Sequence, residues 1–316
     1  MAGWNAPLKS NEILSHTTTY PFGAQTDVLT IDVEDWFHIL ELTSTPDIAQ
    51  WDKLESRVER NLKMLLDLLA NCNIKATCFA LGWIADRFPS LLRKAAEAGH
   101  EIASHGYRHQ VVTALTPSQF CDDVRKSKTA IENATGMPVR GYRAPGFSIT
   151  GNTLWAFEEL LEAGFLFDSS VFPASHGHGG IPKAPRRPHL IETPSGSIAE
   201  FPISVTDTPF GRQCFFGGGY LRLYPLWLIQ MMARRVREEG QGVVWYIHPR
   251  EIDPDHPRIS MPFRRRFKSY ISLRSTKHKL ESILCSGSFA TLGELTLQLF
   301  TAHASSHPSM TSLPGL

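Results

Sequence analysis

The sequence lacks a long apolar segment and a strong charge of either sign. No stretch reaches the roughly 18 uninterrupted apolar residues that a membrane-spanning helix needs, and the first residues show no basic start followed by an apolar run. The 316 residues carry 32 basic and 31 acidic side chains, so no net field attracts the chain to nucleic acid or to anionic lipid. We therefore expect neither a membrane span nor a nucleic-acid partner.

Cysteines are few and show no pairing motif. The five of them, at positions 72, 78, 121, 214 and 285, contain no Cys-x-x-Cys pair. An odd number of scattered cysteines without a secretory signal favours free thiols in a reducing compartment. The sequence therefore predicts a cytoplasmic protein.

One basic run stands out at Arg264, Arg265, Arg266 and Lys268. Such runs are usually the solvated face of a helix. A contact with phosphate or an anionic polymer is the less favoured interpretation.

Length and composition favour one large domain. The 42% hydrophobic and 20% charged residues are ordinary for a globular protein, and 316 residues fit one α/β barrel of roughly 250 residues with extensions. Residues 1–25 and 301–316 are polar and lack periodicity, so we expect flexible tails. The main domain is expected over 26–300, with a distinct C-terminal part from about residue 170.

Strand-like and helix-like patterns alternate between the tails. An apolar run at Val28–Asp32 precedes a helical stripe over 51–70, and a similar alternation continues to a strand at Val243–Ile247. This alternation predicts parallel βαβ units and an α/β fold. The stretch 171–220, rich in Gly, Pro and His, is expected to form long loops with a few irregular strands. Since ligands collect at the carboxyl ends of parallel strands, polar residues there are site candidates.

Four predicted strand ends carry unusual polar groups. In chain order they are Asp32-Val33-Glu34-Asp35, His105-Gly106-Tyr107-Arg108-His109, Arg143-Ala144-Pro145-Gly146 and Tyr246-Ile247-His248. Each has a simple structural explanation alone: acids cap helices, and His-x-x-x-His pairs arise by chance among 13 histidines. Their joint placement at strand ends instead indicates one site.

The set contains the parts of a metal-assisted hydrolase. His105 and His109 with one carboxylate would supply three ligands and leave open positions for water and substrate. Such a cation lowers the pKa of water and polarises a carbonyl. Asp32 and His248 can then act as base and acid, and Arg143 can pair with Asp32 to keep it ionised and aimed. This inventory predicts amide or ester hydrolysis.

In this order the motifs resemble the polysaccharide deacetylase, or NodB-homology, family of carbohydrate esterases, from about residue 28 to residue 251. The particular residues of these motifs are most similar to those of the branch associated with exopolysaccharide and exosortase gene clusters. It is also similar to allantoinase-like and peptidoglycan-deacetylase-like members without a signal peptide. The resemblance implies a distorted (β/α)7 barrel with an irregular C-terminal extension, and a divalent metal, most often Zn²⁺.

The resemblance also implies individual roles. Asp32 looks like the catalytic base, Arg143 like the residue that orients it, and His248 like the general acid. Gly146 would offer its backbone N–H to the oxyanion, and the histidines at 105 and 109 would bind metal.

One departure concerns the acidic metal ligand. The common family pattern has two adjacent aspartates, whereas Val33 follows Asp32 here. The ligand is then Glu34 or Asp35. Glu34 is favoured because side chains two positions apart share a face of a strand.

Two further segments are candidates for substrate binding. Asp168 and Ser169 resemble a family motif that lines the groove, although a capped turn is almost equally expected. After the glycine run 217–219, Tyr220 could stack on a sugar and Arg222 could meet a charged group.

Together with this set of residues, the resemblance implies a hydrolase that removes acetyl groups, N-acetyl in preference to O-acetyl, from a carbohydrate polymer or its precursor. The expected partner is an acetylated glycan or a glycan precursor. An allantoinase-like hydrolase of cyclic amides is one alternative. A carbohydrate-binding pseudoenzyme is another, but the presence of every proposed catalytic residue argues against it.

Overall fold

The structure is a computed structural model that describes residues 26–40, 44–177 and 179–306. The N-terminal tail predicted for 1–25 and the last part of the C-terminal tail, 307–316, lie outside the described residues.

Strands and helices alternate through most of the described chain. The strands are β1 (Thr26–Val33), β2 (Thr77–Ala80), β3 (Glu101–Ser104), β4 (Gly141–Tyr142), β5 (Phe167–Asp168), β6 (His189–Thr193), β7 (Gly196–Glu200), β8 (Thr206–Thr208), β9 (Gly211–Gln213), β10 (Val244–Ile247) and β11 (Ser288–Ala290). The helices are α1 (Ile48–Trp51), α2 (Val58–Asn71), α3 (Gly82–Arg87), α4 (Pro89–Glu97), α5 (Pro117–Thr135), α6 (Ala156–Glu162), α7 (Gly218–Leu223), α8 (Leu226–Glu238), α9 (Phe263–Tyr270), α10 (Leu273–Leu284) and α11 (Leu292–Ser306). Short 3-10 turns follow β3, β4 and β10, at Val112–Ala114, Pro145–Phe147 and Pro249–Ile252.

Among the described residues the main sheet has nine strands, in the order β10-β1-β2-β3-β4-β5-β7-β6, with β11 paired to β1. The path from β10 to β7 is parallel throughout, and β6 runs antiparallel to β7. The sheet curls into an incomplete barrel. This architecture confirms the predicted α/β fold of the distorted (β/α)7 type.

β1 is an interior strand and is covered on both faces. Leu29, Ile31 and Val33 are almost completely buried, as expected for a strand between parallel neighbours. The one hydroxyl in this core stretch, on Thr30, donates to the carbonyl of Trp245 at 2.7 Å. Burial along the whole strand fixes its register, and therefore the position of the acids that follow it.

The helices begin and end where the sequence indicates. α4 starts at Pro89 and is followed by Gly99 in the left-handed region (φ 84°). α5 starts with a capping box between Thr116 and Gln119 and stops at Gly136, which also has positive φ (72°).

The basic run lies on α9, and most of it forms the solvated helix face that we expected. Arg264, Arg266 and Lys268 are exposed, whereas Arg265 is half-buried. None of the helices in the described residues combines the length and the apolar character that crossing a membrane requires.

The region from about residue 170 is more regular than expected. Within 171–220, β6 pairs with β7 and β8 pairs with β9 as antiparallel hairpins. These strands of three to five residues are too short to show a clear alternation in the sequence.

The C-terminal helix continues beyond the boundary predicted for it. α11 runs to Ser306, so the first six residues of the predicted tail 301–316 are helical. Leu295, Leu299 and Phe300 of this helix are buried in a second apolar cluster with Phe79 and other sheet residues. This packing stabilises the helix beyond what its own sequence would indicate.

Candidate active site

The carboxyl ends of the parallel strands open onto one cleft with a volume of about 230 Å³. Side chains or backbone from all four predicted strand ends line it, at Asp32, Glu34, His105, His109, Gly146 and His248. Ile31 of β1 is in register with Ile247 of β10. Asp32 and His248, each one residue further along, therefore lie at neighbouring strand ends.

Glu34, His105 and His109 converge on one point. Oε1 of Glu34 lies 3.0 Å from Nε2 of His105 and 2.9 Å from Nε2 of His109, and all three side chains are buried. Nδ1 of His105 donates to the carbonyl of Arg143 at 2.7 Å, so a neutral ring presents the Nε2 lone pair to the carboxylate. Lone pairs that face each other in a buried site repel each other unless a positive charge lies between them. This donor set fits a divalent cation.

The ionisation state of Glu34 is suited to binding a cation. Burial alone would raise the pKa of Glu34, but nearby His109 and His248 reverse the effect and hold it well below its ordinary value. Glu34 is therefore a carboxylate, the form that binds a cation.

The loop after β3 aims the histidines through an unusual backbone. Gly106 and His109 both have positive φ, 76° and 53°. A Cβ at Gly106 would lie 2.9 Å from Oδ2 of Asp123, and that oxygen accepts the backbone N–H of Tyr107 at 2.8 Å. A left-handed conformation at a residue other than glycine costs about 1–3 kcal/mol. At His109 it forms the turn that directs the ring to Glu34.

Asp35, the other candidate for the acidic ligand, does not lie with the histidines. Its Oδ2 accepts the backbone N–H groups of Arg57 and Val58 at 2.9 and 3.2 Å. The carboxylate thus binds the N-terminus of α2, which is the helix-capping alternative for an acid after a strand. The structure contradicts Asp35 as a metal ligand and brings Glu34 to that position.

Arg143 fixes the carboxylate of Asp32. Nη1 donates to Oδ1 of Asp32 at 2.8 Å and to Oγ1 of Thr30 at 2.7 Å. Nε and Nη2 donate to the carbonyl and hydroxyl oxygens of Ser169 at 3.1 and 2.9 Å. The fully buried guanidinium also lies over the ring of Phe79, 4.2 Å from its centroid. With every nitrogen engaged, Arg143 holds Asp32 in one orientation.

His248 faces both acids across the cleft. Its Nε2 lies 3.8 Å from Oδ2 of Asp32 and 3.8 Å from Oε1 of Glu34, and its Nδ1 lies 3.4 Å from Oε2 of Glu251. Burial lowers the pKa of His248, but Glu34 and Glu251 outweigh burial, so the pKa is raised above its ordinary value. This imidazole therefore holds a proton more readily than an isolated histidine does.

Glu251 is a site residue that the sequence reasoning missed. Its Oε2 accepts the backbone N–H of His248 at 3.0 Å, and its Oε1 forms an ion pair with Arg222. Burial would raise the pKa of Glu251, but Arg222 and His248 hold it well below its ordinary value. The available signal was its position three residues after His248, at the end of the same strand.

His38 is a second residue without a role assigned from the sequence. The backbone N–H of Asp35 donates to Nδ1 of His38 at 3.0 Å, so a neutral ring carries its proton on Nε2. Burial, with His109 nearby, holds the pKa of His38 well below its ordinary value. His38 lines the cleft as a neutral N–H group, and its place in the same segment as Asp32 was the available signal.

Gly146 belongs to the turn that follows β4. It lines the cleft in the turn Pro145–Phe147 with a positive φ of 63°. The contribution of its N–H to an oxyanion stays a prediction.

The residues predicted to bind substrate are placed less favourably. Asp168 and Ser169 are fully buried and lie outside the cleft lining. Oδ2 of Asp168 accepts the backbone N–H of Ser170 at 2.7 Å, which is the turn-capping alternative. Ser169 instead supports Arg143 through the two hydrogen bonds given above. Both residues therefore stand behind the cleft rather than on its surface.

Tyr220 and Arg222 are also held by the protein. Tyr220 lies outside the cleft lining and its ring is parallel to that of Tyr224, with centroids 6.3 Å apart. Arg222 does line the cleft, but it is paired with Glu251 and its Nη2 donates to the carbonyl of Lys268 at 3.0 Å. The preceding glycines begin α7 rather than a substrate loop.

Comparison with known families divides the chain in two. Residues 48–161 match the family described as polysaccharide deacetylase, and residues 169–297 match a domain of unknown function, DUF3473. The first match contains His105, His109 and Arg143, the second contains His248, and Asp32 precedes both. Residues 48–161 are thus similar to polysaccharide deacetylases, which confirms the family that the motifs resemble. The narrower exopolysaccharide branch stays a prediction.

Relatives of known description support the same family. A peptidoglycan deacetylase of Helicobacter pylori is 34% identical over 113 residues, which cover 36% of this chain and 38% of the relative. A peptidoglycan-N-acetylglucosamine deacetylase of Bacillus cereus is 31% identical over 96 residues, 30% of this chain and 35% of the relative. The chain thus spans little more than a third of the length of these relatives.

A solved structure extends the likeness of fold to nearly the whole chain. It is a crystal structure from Mycobacterium smegmatis whose description assigns it to the polysaccharide deacetylases. It aligns with a TM-score of 0.62 at 21% identity and covers 95% of this chain and 98% of its own. At this identity the likeness shows the fold alone.

Proposed function

We propose that this protein is a metal-dependent deacetylase that removes N-acetyl groups from a carbohydrate polymer or its precursor. One observation carries the proposal: a buried three-donor cation site lies beside an oriented carboxylate, Asp32, and a histidine, His248, that faces it across the cleft. The peptidoglycan deacetylase relatives support a glycan as the substrate class.

Glu34, His105 and His109 would hold the cation. Zinc is the proposed metal, because imidazole nitrogens and a carboxylate oxygen are its ordinary ligands in hydrolases. When bound, the cation would polarise the acetyl carbonyl and make water more acidic.

The chain's own residues supply the proton transfers. Asp32, held by Arg143, accepts a proton from water as the water oxygen bonds to the acyl carbon. The N–H of Gly146 stabilises the negative oxygen of the tetrahedral intermediate. His248 then gives a proton to the nitrogen as the carbon–nitrogen bond breaks, which yields acetate and a free amine. An amine leaves poorly without such a proton, so a protonated His248 favours N-acetyl over O-acetyl substrates.

Acetate release tests the proposal. Purified, metal-loaded protein is incubated with N-acetylated glucosamine oligomers, O-acetylated xylan oligomers and allantoin, alongside an Asp32→Asn variant. We expect acetate mainly from the N-acetylated oligomers, and a decrease in rate of about 10²–10⁴-fold in the variant, whose melting temperature and metal content match the parent. A folded, metal-loaded protein that releases no acetate from any of them contradicts the proposal. Ring opening of allantoin instead supports the cyclic-amide alternative.

A further inference from the structure

Three arginines from three separate elements line the cleft. Arg250 lies in the turn Pro249–Ile252 after β10, Arg222 lies on α7 and Arg265 lies on α9. Their partners within the protein decide which of them can bind a ligand.

Two of the three arginines have protein acceptors. Arg222 is paired with Glu251, and Arg265 donates to the carbonyl of Leu40. Arg250 differs, because its Nε and Nη1 are buried without a hydrogen-bond partner among the described residues. Burial also lowers the pKa of Arg250, although the charge of Glu251 acts in the opposite direction.

Among the described residues, each of the three acids that line the cleft already has a partner or a proposed role. Asp32 is bonded to Arg143, Glu34 belongs to the cation site, and Glu251 serves Arg222 and His248. Among the described residues two nitrogens of Arg250 lack acceptors, and the nearby Glu251 is shared with Arg222 and His248, so an anion bound in the cleft would stabilise the charge of Arg250. Arginine presents a planar set of donors that matches carboxylate and phosphate oxygens.

We infer that Arg250 binds an oxyanion on the glycan, a carboxylate or a phosphate, close to the acetylated sugar. Arg250 is two residues from His248, the proposed donor to the leaving nitrogen, so the anion belongs to the acetamido sugar itself or to its neighbour. The inference rests on the proposed function and deepens it. The substrate is then an acidic acetamido glycan rather than a neutral polymer.

Three matched substrates test this assignment. They are N-acetylated oligosaccharides of equal length that are neutral, carry a hexuronic acid, or carry a sugar phosphate. The protein is compared with Arg250→Gln, Arg250→Lys and the control Arg274→Gln, which removes an exposed charge on α10 outside the cleft. Comparing the three variants separates the effect of a positive charge in the cleft from the effect of losing any positive charge on the protein.

We expect a lower KM for one acidic oligosaccharide than for the neutral one. Arg250→Gln should raise the ratio of the KM for the acidic substrate to the KM for the neutral one about tenfold to a hundredfold, the usual effect of a lost charge-assisted hydrogen bond. Arg250→Lys should recover part of the loss, and Arg274→Gln should match the parent. Preference for the carboxylate or for the phosphate substrate identifies the source of the oxyanion.

A binding measurement keeps the test independent of turnover. Calorimetry with a non-acetylated oligouronate or a sugar phosphate should show binding that weakens with salt and with Arg250→Gln. Equal KM values for neutral and acidic substrates, with no such binding, overturn the inference while acetate release still supports the proposed function. If acetate alone competes for Arg250, and substrate charge has no effect, the arginine binds the product and the inference is also overturned.

Discussion

Gly218 leaves no room for a side chain beside Glu251. A Cβ at Gly218 would lie 1.4 Å from Oε2 of Glu251, the oxygen that accepts the backbone N–H of His248. The neighbouring Gly219 is different, because a Cβ there would meet its nearest atom, Nη2 of Arg222, at an ordinary 3.7 Å. Glycine at position 218 is therefore part of what holds His248 in place.

This pair of glycines gives a matched stability test. Gly218→Ala should destabilise the protein by about 1–3 kcal/mol, the usual cost of overpacking a buried position. Gly219→Ala should stay within about 0.5 kcal/mol of the parent. Denaturant unfolding of the two variants measures the difference, and equal stabilities would show that Glu251 can move aside without cost.

Two neighbouring acids should affect different properties. Glu34→Gln removes one proposed ligand, so the metal content of the purified protein should fall while the fold is kept. Asp35→Asn should keep the metal but lose about 1–3 kcal/mol of stability, because charged hydrogen bonds to the N-terminus of α2 are weakened. Elemental analysis and thermal unfolding of both variants check this; loss of metal from Asp35→Asn alone contradicts the assignment of Glu34.

Metal removal should change stability through the same site. A ligand that binds only the folded state stabilises it by about 2.7 kcal/mol when its concentration is a hundred times its dissociation constant. A chelator should therefore lower the melting temperature of the parent protein, and added Zn²⁺ should restore it. Glu34→Gln provides the control, since its melting temperature should respond little to either treatment.

Glu200 should make stability depend on pH. Burial, and then the charge of Asp168, raise the pKa of Glu200 well above its ordinary value, while its Oε1 accepts the backbone N–H of Val171 at 3.0 Å. The folded state thus keeps a proton that the unfolded chain releases near pH 4.3.

The sign of this effect follows from the proton count. Because the folded state binds more protons, the free energy of unfolding falls as pH rises from about 4.3 towards the raised pKa, by up to about 1.4 kcal/mol per pH unit. Glu200→Gln has no such proton to lose, so it should gain stability relative to the parent between pH 5 and pH 8. Urea unfolding at several pH values measures this, and parallel curves for the two proteins would show that Glu200 is ionised in the fold.

The sequence was sufficient to predict site residues wherever a strand and the polar residues at its end form one continuous segment. β1, β3 and β10 were each predicted together with Asp32, His105 and His248 because apolar runs ending in polar groups are local signals. The choice between Glu34 and Asp35 was left open because it depends on how the chain leaves β1 and on where the N-terminus of α2 lies.

Other parts of the site depend on contacts between distant segments. Glu251 acquires its function from Arg222 and from the space at Gly218, and neither is near it in the chain. Tyr220 was expected at the cleft because aromatic residues after glycines can stack on sugars, but packing against Tyr224 determines its place. Such outcomes are set by tertiary packing, which a local pattern does not encode.

The pairing of β1 with β10 has a consequence for biosynthesis. All three donors of the cation site lie within the first 109 residues, whereas His248 arrives with β10. A growing chain therefore exposes every proposed metal ligand long before the proposed proton donor has been synthesised. The proposed proton donor reaches the cleft only when β10 docks beside β1.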